Sequence, residues 1–450
     1  MGYFATPVAR LTPGTIAVQQ SPENRQIRFA RALELDRAGR AAESLELLLG
    51  IEIEAHDSPE LLVHVGRAMA AANRAAEAET KISAALAHWP VNVELHVLLA
   101  ELRWQRGAGA DSLRWLEAAI DAHPRELGLR LVAAGLLRNM ENAPRALELL
   151  EAGLARAPES AAFLTSLGVV LDDLDRSLEA LSYLRAAIPR ARNPAPAMLN
   201  LASVLLRTNG AAEALDLCER LIAGAPDDQK FLAYRATTLR LLSDPRHAAL
   251  CDHERFVRTY RLVPPPEYAD IAAFNAAFAR ELNALHFSTH RPVAQSLRGG
   301  TQTERRLPAD NPVIAQFFAM LDAPIRDYIA RLDPADTSHP TARRVSSGYR
   351  IAGSWSVKLA PGGFHTNHVH PDGWLSSAYY VDVPPVDGGS RAAWLKFGEP
   401  GVRVDLPPEH FVRPEAGSLV LFPSFFWHGT VPFQEGGGRL TAAFDVLPSD

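Results

Sequence analysis

The sequence predicts a two-part chain, α and then all-β: a superhelix of helical hairpins over residues 24–262, then a barrel or sandwich with flanking helices over 265–450. Three observations predict it. The first half is rich in Ala, Leu, Glu and Arg, with apolar residues at helical spacing and almost no strand-like alternation. Its small residues and prolines recur with a period near 34. Beyond Arg344 the chain turns to short apolar runs separated by glycine-rich turns.

At 450 residues the chain exceeds what one hydrophobic core usually fills. Its 46 basic and 52 acidic residues leave a net charge of −6, and no basic run stands out. That balance argues against a nucleic-acid or membrane-surface binder. The longest apolar stretches, such as Ser418 to Trp427, fall short of the roughly 20 residues of a membrane span. Residues 1–23 (MGYFATPVARLTPG onward) read as a flexible lead without the signature of a secretory signal, and Met-Gly before Ala5-Thr6 only faintly echoes an acylation site. Two cysteines, Cys218 and Cys251, make neither a CxxC pair nor a disulfide framework, which fits a reducing cytoplasm.

In the helical half, Pro90, Pro124, Pro158, Pro194 and Pro226 are 34, 34, 36 and 32 residues apart. Small residues recur at Gly66, Ala100, Ala134, Gly168, Ala202 and Ala236, and again twelve later at Ala78, Ser112, Ala146, Ala180, Ala214 and Ala248. A bulkier residue follows four after that, at Ile82, Leu116, Leu150, Leu184 and Cys218. A lone hairpin cannot bury its apolar stripe, so small residues let helices approach and neighbouring hairpins share a core. Proline closes each unit. Five repeats run from about 59 to 228, with a degenerate one before them (Ala32, Leu35, Ser44) and another after.

Three consecutive prolines, Pro264 to Pro266, break the period and mark a boundary. Helical stretches follow at Ile271 to Leu285 and Pro312 to Leu332. Strands are then expected at SWSVKLA, SSAYYVDV, AAWLKF, GSLVLFP and RLTAAFDV.

Histidine carries the chemistry. His365, His368 and His370 fall within GFHTNHVHPDGW, and His428 ends LVLFPSFFWHGT. On a strand, residues i and i+2 share a side, so His368 and His370 would project together and meet His428 from a remote strand. A facial three-ligand site leaves positions open for a co-substrate and dioxygen, as non-haem iron oxygenases require. Eleven residues past His428, Arg439 and Thr441 again share a face. A guanidinium suits bidentate pairing with the far carboxylate of a chelating dicarboxylate.

With these residues in view, two resemblances follow. The repeat pattern resembles the tetratricopeptide family, whose arrays offer a concave surface to a protein or peptide partner; the alternative use is a spacer or a homodimerisation arm. The segments HxHPxGWxS and FPSxxxHGTxPF, with HRPVAQSLRGGTQTE upstream, resemble bacterial 2-oxoglutarate/Fe(II) oxygenases fused to such repeats, over roughly 265 to 450. The resemblance implies a double-stranded β-helix (jelly roll), Fe(II) and 2-oxoglutarate as cofactors, and hydroxylation of a second substrate.

One departure matters. The superfamily pattern is His-x-Asp/Glu with a distant His, yet His370 stands where the carboxylate belongs. Three readings stay open: His368, His370 and His428; a shifted triad of His370, Asp372 and His428, against which Pro371 speaks; and His365 as a ligand or no metal. Three neutral histidines would leave the iron more positive and favour a dianionic co-substrate. One of Tyr379 and Tyr380 must face inward, and Tyr380 is taken to bind the 2-oxoglutarate carboxylate with Arg439 and Thr441; Asn367 and Ser376 are lesser candidates. Arg298, Gln302 and Thr303 are read as a substrate mouth or a surface turn. His286, His290, His339 and His410 are read as structural or surface residues. No phosphate loop or GxSxG elbow is present. The rival functions are a repeat scaffold whose jelly roll has lost catalysis, and a cupin-like metalloenzyme that uses no 2-oxoglutarate.

Overall fold

The computed structural model describes residues 22–37, 40–51, 58–293, 295–303, 306–385, 390–434 and 436–449. Most of the segment read as a flexible lead, up to residue 21, lies outside them; a helix begins at Pro22. The chain divides into two compact units. One comprises the residues up to Leu102 together with Pro308–Asp310. The other holds Arg103–Leu307 and Asn311 onward.

In the first unit Pro22–Arg37 pairs with Ala41–Leu49 and Pro59–Ala71 with Ala75–Ala85. Ala32 and Ser44 of the degenerate repeat meet, with the Ser44 hydroxyl donating to the Ala32 carbonyl at 2.8 Å. Gly66 shows why the pattern needs a small residue: a methyl there would lie 2.7 Å from Leu98 and 3.2 Å from Ile82.

The second unit continues the hairpins with Leu127–Asn139 and Ala143–Leu154, Ala161–Asp173 and Ser177–Ala187, Ala195–Arg207 and Ala211–Gly224, then Gln229–Leu241 and the short Arg246–Leu250. Ala146, Ala180 and Ala214 are fully buried, as are the bulkier Leu150, Leu184 and Cys218 four residues on. The turns repeat as strictly as the packing. Asn73, Gly107, Glu141, Asp175, Asn209 and Ser243 all have positive φ and stand 34 residues apart. A left-handed residue after each first helix closes it and reverses the chain into the second. No helix among the described residues is long and apolar enough to cross a membrane.

The C-terminal part is an antiparallel β domain of jelly-roll type. Its larger sheet has the order β1-β7-β4-β9-β3-β2, with β1 at Arg258–Arg261, β2 at Leu297–Gln302, β3 at Gly348–His365, β4 at Leu375–Asp382, β7 at Ser418–Pro423 and β9 at Arg439–Ser449. A smaller sheet, β6-β5-β8, comprises His410–Val412, Leu395–Phe397 and His428–Thr430. All pairings are antiparallel, and the larger sheet is not closed. Phe397 of β5 meets Phe422 of β7 edge to face, with centroids 5.0 Å apart, which packs one sheet on the other. The helix Ile271–Ala284 backs the larger sheet: Tyr379 donates to Asn275 Oδ1 at 2.6 Å, and Asn275 Nδ2 to the Val381 carbonyl at 3.0 Å. The five strand stretches expected from the sequence fall on β3, β4, β5, β7 and β9, although only the last three residues of AAWLKF are strand. Strand β1 lies just ahead of the three prolines and pairs with β7.

Within the second unit the last repeat grips the β domain beside β8. Trp427 donates its indole N–H to Thr237 Oγ1 at 2.9 Å, and Arg240 donates to the Gly398 carbonyl at 2.9 Å.

Candidate metal centre

The site is built where β3 ends. A same-strand arrangement of His368 and His370 is expected from their spacing, but regular pairing stops at His365 and both lie in the loop that follows. Pro371 has no N–H to extend a ladder. A single bridge replaces it: His368 N donates to the His428 carbonyl at 2.9 Å, and His428 N to the His368 carbonyl at 3.1 Å. His370 N donates to the Ser424 carbonyl at 3.0 Å. Gly429 permits this approach, since a methyl there would lie 2.4 Å from Asn367 Oδ1 and 3.0 Å from the His365 carbonyl.

The result is a convergent trio. One ring nitrogen from each of His368, His370 and His428 lies within 4.8 Å of the others, and His368 and His370 Nε2 are 3.3 Å apart. Each opposite nitrogen is already engaged. Nδ1 of His368 meets the Thr366 carbonyl at 2.8 Å, that of His428 the Phe426 carbonyl at 2.9 Å, and that of His370 Asp445 Oδ1 at 2.6 Å. Nδ1–H donation to these oxygens leaves every Nε2 lone pair facing inward. Burial, followed by the neighbouring histidines, pushes His428 well below the usual histidine range and His368 down to about 3. Neutral imidazole is the form that ligates a cation. The donor set fits a transition metal.

A cavity of about 390 Å³ opens from the trio. Arg439, Thr441, Ala443 and Asp445, alternate residues on one face of β9, line it, as do Trp355, Gln302 and Asp372. Asp372 stands on the wall, outside the group of three. His365 also lines the cavity; its Nδ1 is 3.0 Å from Ser296 Oγ and its ring stacks on His368.

Arg439 is 3% exposed and donates from Nη1 to Thr430 Oγ1 at 2.8 Å. Its carbon Cζ lies 5.1 Å from the Tyr380 ring centroid. Arg439 Nε and the Tyr380 hydroxyl are buried and make no hydrogen bond of good geometry among the described residues, although the two side chains lie close enough to interact with each other. Burial lowers the Arg439 pKa, with Tyr380 opposing; burial raises that of Tyr380, with Arg439 opposing. A buried guanidinium with a donor still to fill is costly unless a ligand completes it, so Arg439, which lines the cavity, fits an anion.

The remaining candidates separate. Tyr379 turns away to Asn275, and Ser376 touches Asp445 rather than the cavity centre. Asn367 Oδ1 is buried beside Gly429 and has no hydrogen-bond partner among the described residues. Gln302 lines the cavity, Arg298 pairs with Glu141 at 2.9 Å, and Thr303 accepts from Ser356 N at 2.9 Å. His286 lies between Thr301 and Ser356, His339 bonds the Leu250 carbonyl, His290 packs on Trp104 and His410 stacks on His253. Asp445, Ser424, Ser296 and Thr430 escape sequence reasoning. Asp445 had a signal: its even spacing from Arg439 puts both on one strand face.

Fold and site thus define a class, a helical-repeat protein joined to a jelly-roll domain with a partly buried three-histidine cluster. The family comparison is more specific. Residues 353–445 match the family described as "Putative 2OG-Fe(II) oxygenase", and residues 66–126 and 131–196 match the tetratricopeptide repeat. The chain thus carries tetratricopeptide repeats and, behind them, a domain that matches that oxygenase family. No curated protein matches the sequence. Similar solved structures include a thermophilic tetratricopeptide-repeat protein of Thermus thermophilus, 21% identical, covering 41% of this chain and 100% of that one, with a TM-score of 0.33. PilF of Pseudomonas aeruginosa is 16% identical over 44% and 90% of the two chains, with a TM-score of 0.35. Yeast Tom70 is 16% identical over 54% of each chain, with a TM-score of 0.41.

Proposed function

We propose that the protein is an Fe(II)- and 2-oxoglutarate-dependent hydroxylase whose repeats recruit a protein or peptide partner. The observation that carries this reading is the buried Arg439, its Nε without a hydrogen bond among the described residues, in the same cavity as three convergent histidines. His368, His370 and His428 hold the metal through Nε2, since each ring is fixed by a contact on Nδ1. Arg439 takes the far carboxylate of 2-oxoglutarate, with the Tyr380 and Thr441 hydroxyls as further donors. Bound together, iron and 2-oxoglutarate supply oxidative decarboxylation coupled to hydroxylation of the second substrate. The chain's own part is to orient the co-substrate, exclude water from the cavity and leave its mouth, beside Asp372 and Gln302, to the substrate. Arg439 in this cavity favours a dicarboxylate co-substrate over a metalloenzyme that acts without 2-oxoglutarate.

The test is anaerobic addition of Fe(II) and 2-oxoglutarate to the purified protein. A metal-to-ligand charge-transfer band is expected, and it is lost in His428→Ala. No band, with no succinate formed in air, would overturn the assignment.

A further inference from the structure

The missing carboxylate has a counterpart one bond further out. Asp445 comes from β9, far from the histidine loop in sequence, and its Oδ1 lies 2.6 Å from His370 Nδ1. That same oxygen accepts from Ser376 Oγ at 2.7 Å, and Ser376 Oγ is 2.8 Å from Ser424 Oγ. Ser424 also gives its carbonyl to His370 N. Side-chain exposures of 12% for His370 and 14% for Asp445 keep the pair largely from water. The backbone makes room for this cluster: a methyl on Gly373 would lie 2.3 Å from Ser424 Oγ and 3.4 Å from Asp445 Cγ. The other two histidines are held by neutral backbone carbonyls, so His370 is the one ring backed by an acid.

We infer that Asp445 is the positioning carboxylate of this metal centre, acting through His370 in place of the inner carboxylate the superfamily pattern supplies. An acid hydrogen-bonded to a ligating imidazole fixes its tautomer and orientation and strengthens it as a donor. The charge count follows. A divalent metal with three neutral imidazoles and the Asp445 carboxylate carries the same net charge as one with two imidazoles and a bound carboxylate. On this count the negative charge is kept one hydrogen bond further out while a ligand position is given to nitrogen. Ser376 and Ser424 hold the carboxylate in register.

This inference rests on the metal assignment above, and its test separates the two. Apo full-length protein is titrated with Co(II), following the visible d–d bands, for the natural chain and for Asp445→Ala, Asp445→Asn, Ser376→Ala and His428→Ala. Asp445→Ala should weaken Co(II) binding 10- to 100-fold and shift the bands. Asp445→Asn, which keeps an acceptor but not the charge, should recover part of the affinity, and Ser376→Ala should lose severalfold. Apo circular dichroism and melting temperatures close to the natural chain's show that folding is not the cause. Should Asp445→Ala bind Co(II) within twofold of the natural chain and with unchanged bands, while His428→Ala does not bind, the role of Asp445 is overturned and the metal site stands. If the natural chain binds no Co(II), both fall. If it binds Co(II) in an Asp445-dependent way but Fe(II) and 2-oxoglutarate give no charge-transfer band, the oxygenase reading falls alone.

Discussion

Replacing Arg439 by Met should stabilise the ligand-free protein while removing its co-substrate. The guanidinium is 3% exposed, makes one side-chain hydrogen bond, to Thr430, and leaves Nε without a partner among the described residues. A hydrogen bond to a charged group contributes about 1.5–3 kcal/mol, and that is lost. Against it stand an unsatisfied buried donor, about 1–3 kcal/mol, and the several kcal/mol that desolvating an unpaired cation costs. Methionine keeps most of the apolar stem beside Tyr380. The net expectation is a gain of about 1–3 kcal/mol, or a rise in melting temperature of roughly 2–10 °C for a domain of this size. Affinity for 2-oxoglutarate should fall by about 2–5 kcal/mol, from 30-fold to several thousand-fold. Differential scanning calorimetry with and without 2-oxoglutarate, with Mn(II) as an inert metal, reads both. At 100 times its Kd the co-substrate should stabilise the natural chain by about 2.7 kcal/mol and leave Arg439→Met unmoved. A variant that melts several degrees lower, yet still gains from 2-oxoglutarate, would show that Arg439 is a structural residue and refute the argument.

Two other outcomes follow from the same reasoning. Trp427→Phe removes the indole N–H that binds Thr237 and the Ala233 carbonyl, and should cost about 1–2 kcal/mol in urea unfolding; no change would mean that this contact does not hold the last repeat against β8. Burial drives His253, His286 and His339 down to about 4. With folded pKa values below the unfolded 6.5, the unfolded chain binds more protons between pH 6.5 and 4, so stability is highest above 6.5 and falls as the pH drops through that window. Each group contributes up to about 3 kcal/mol to the loss; a melting temperature flat from pH 7 to 4.5 would contradict it.

The sequence by itself determined the repeats, because a 34-residue period is a local property: a small residue where helices touch, a second twelve later, a bulkier one four after that and a closing proline. It also marked five strands by short apolar runs between glycine-rich turns and singled out the histidines, Arg439 and Thr441 by type and spacing. Tertiary structure decided what those side chains meet. His368 and His370 look like strand neighbours on paper, but regular pairing already stops at His365 and a lone bridge to His428 sets their geometry. Tyr380 and Tyr379 are adjacent and alike in sequence; packing turned one toward Arg439 and the other to Asn275. Asp445 lies 75 residues from His370, and no local pattern ties them. Only the pairing of β9 with β4, which puts Asp445 opposite Ser376, brings an acid to the histidine that stands where the family keeps its carboxylate.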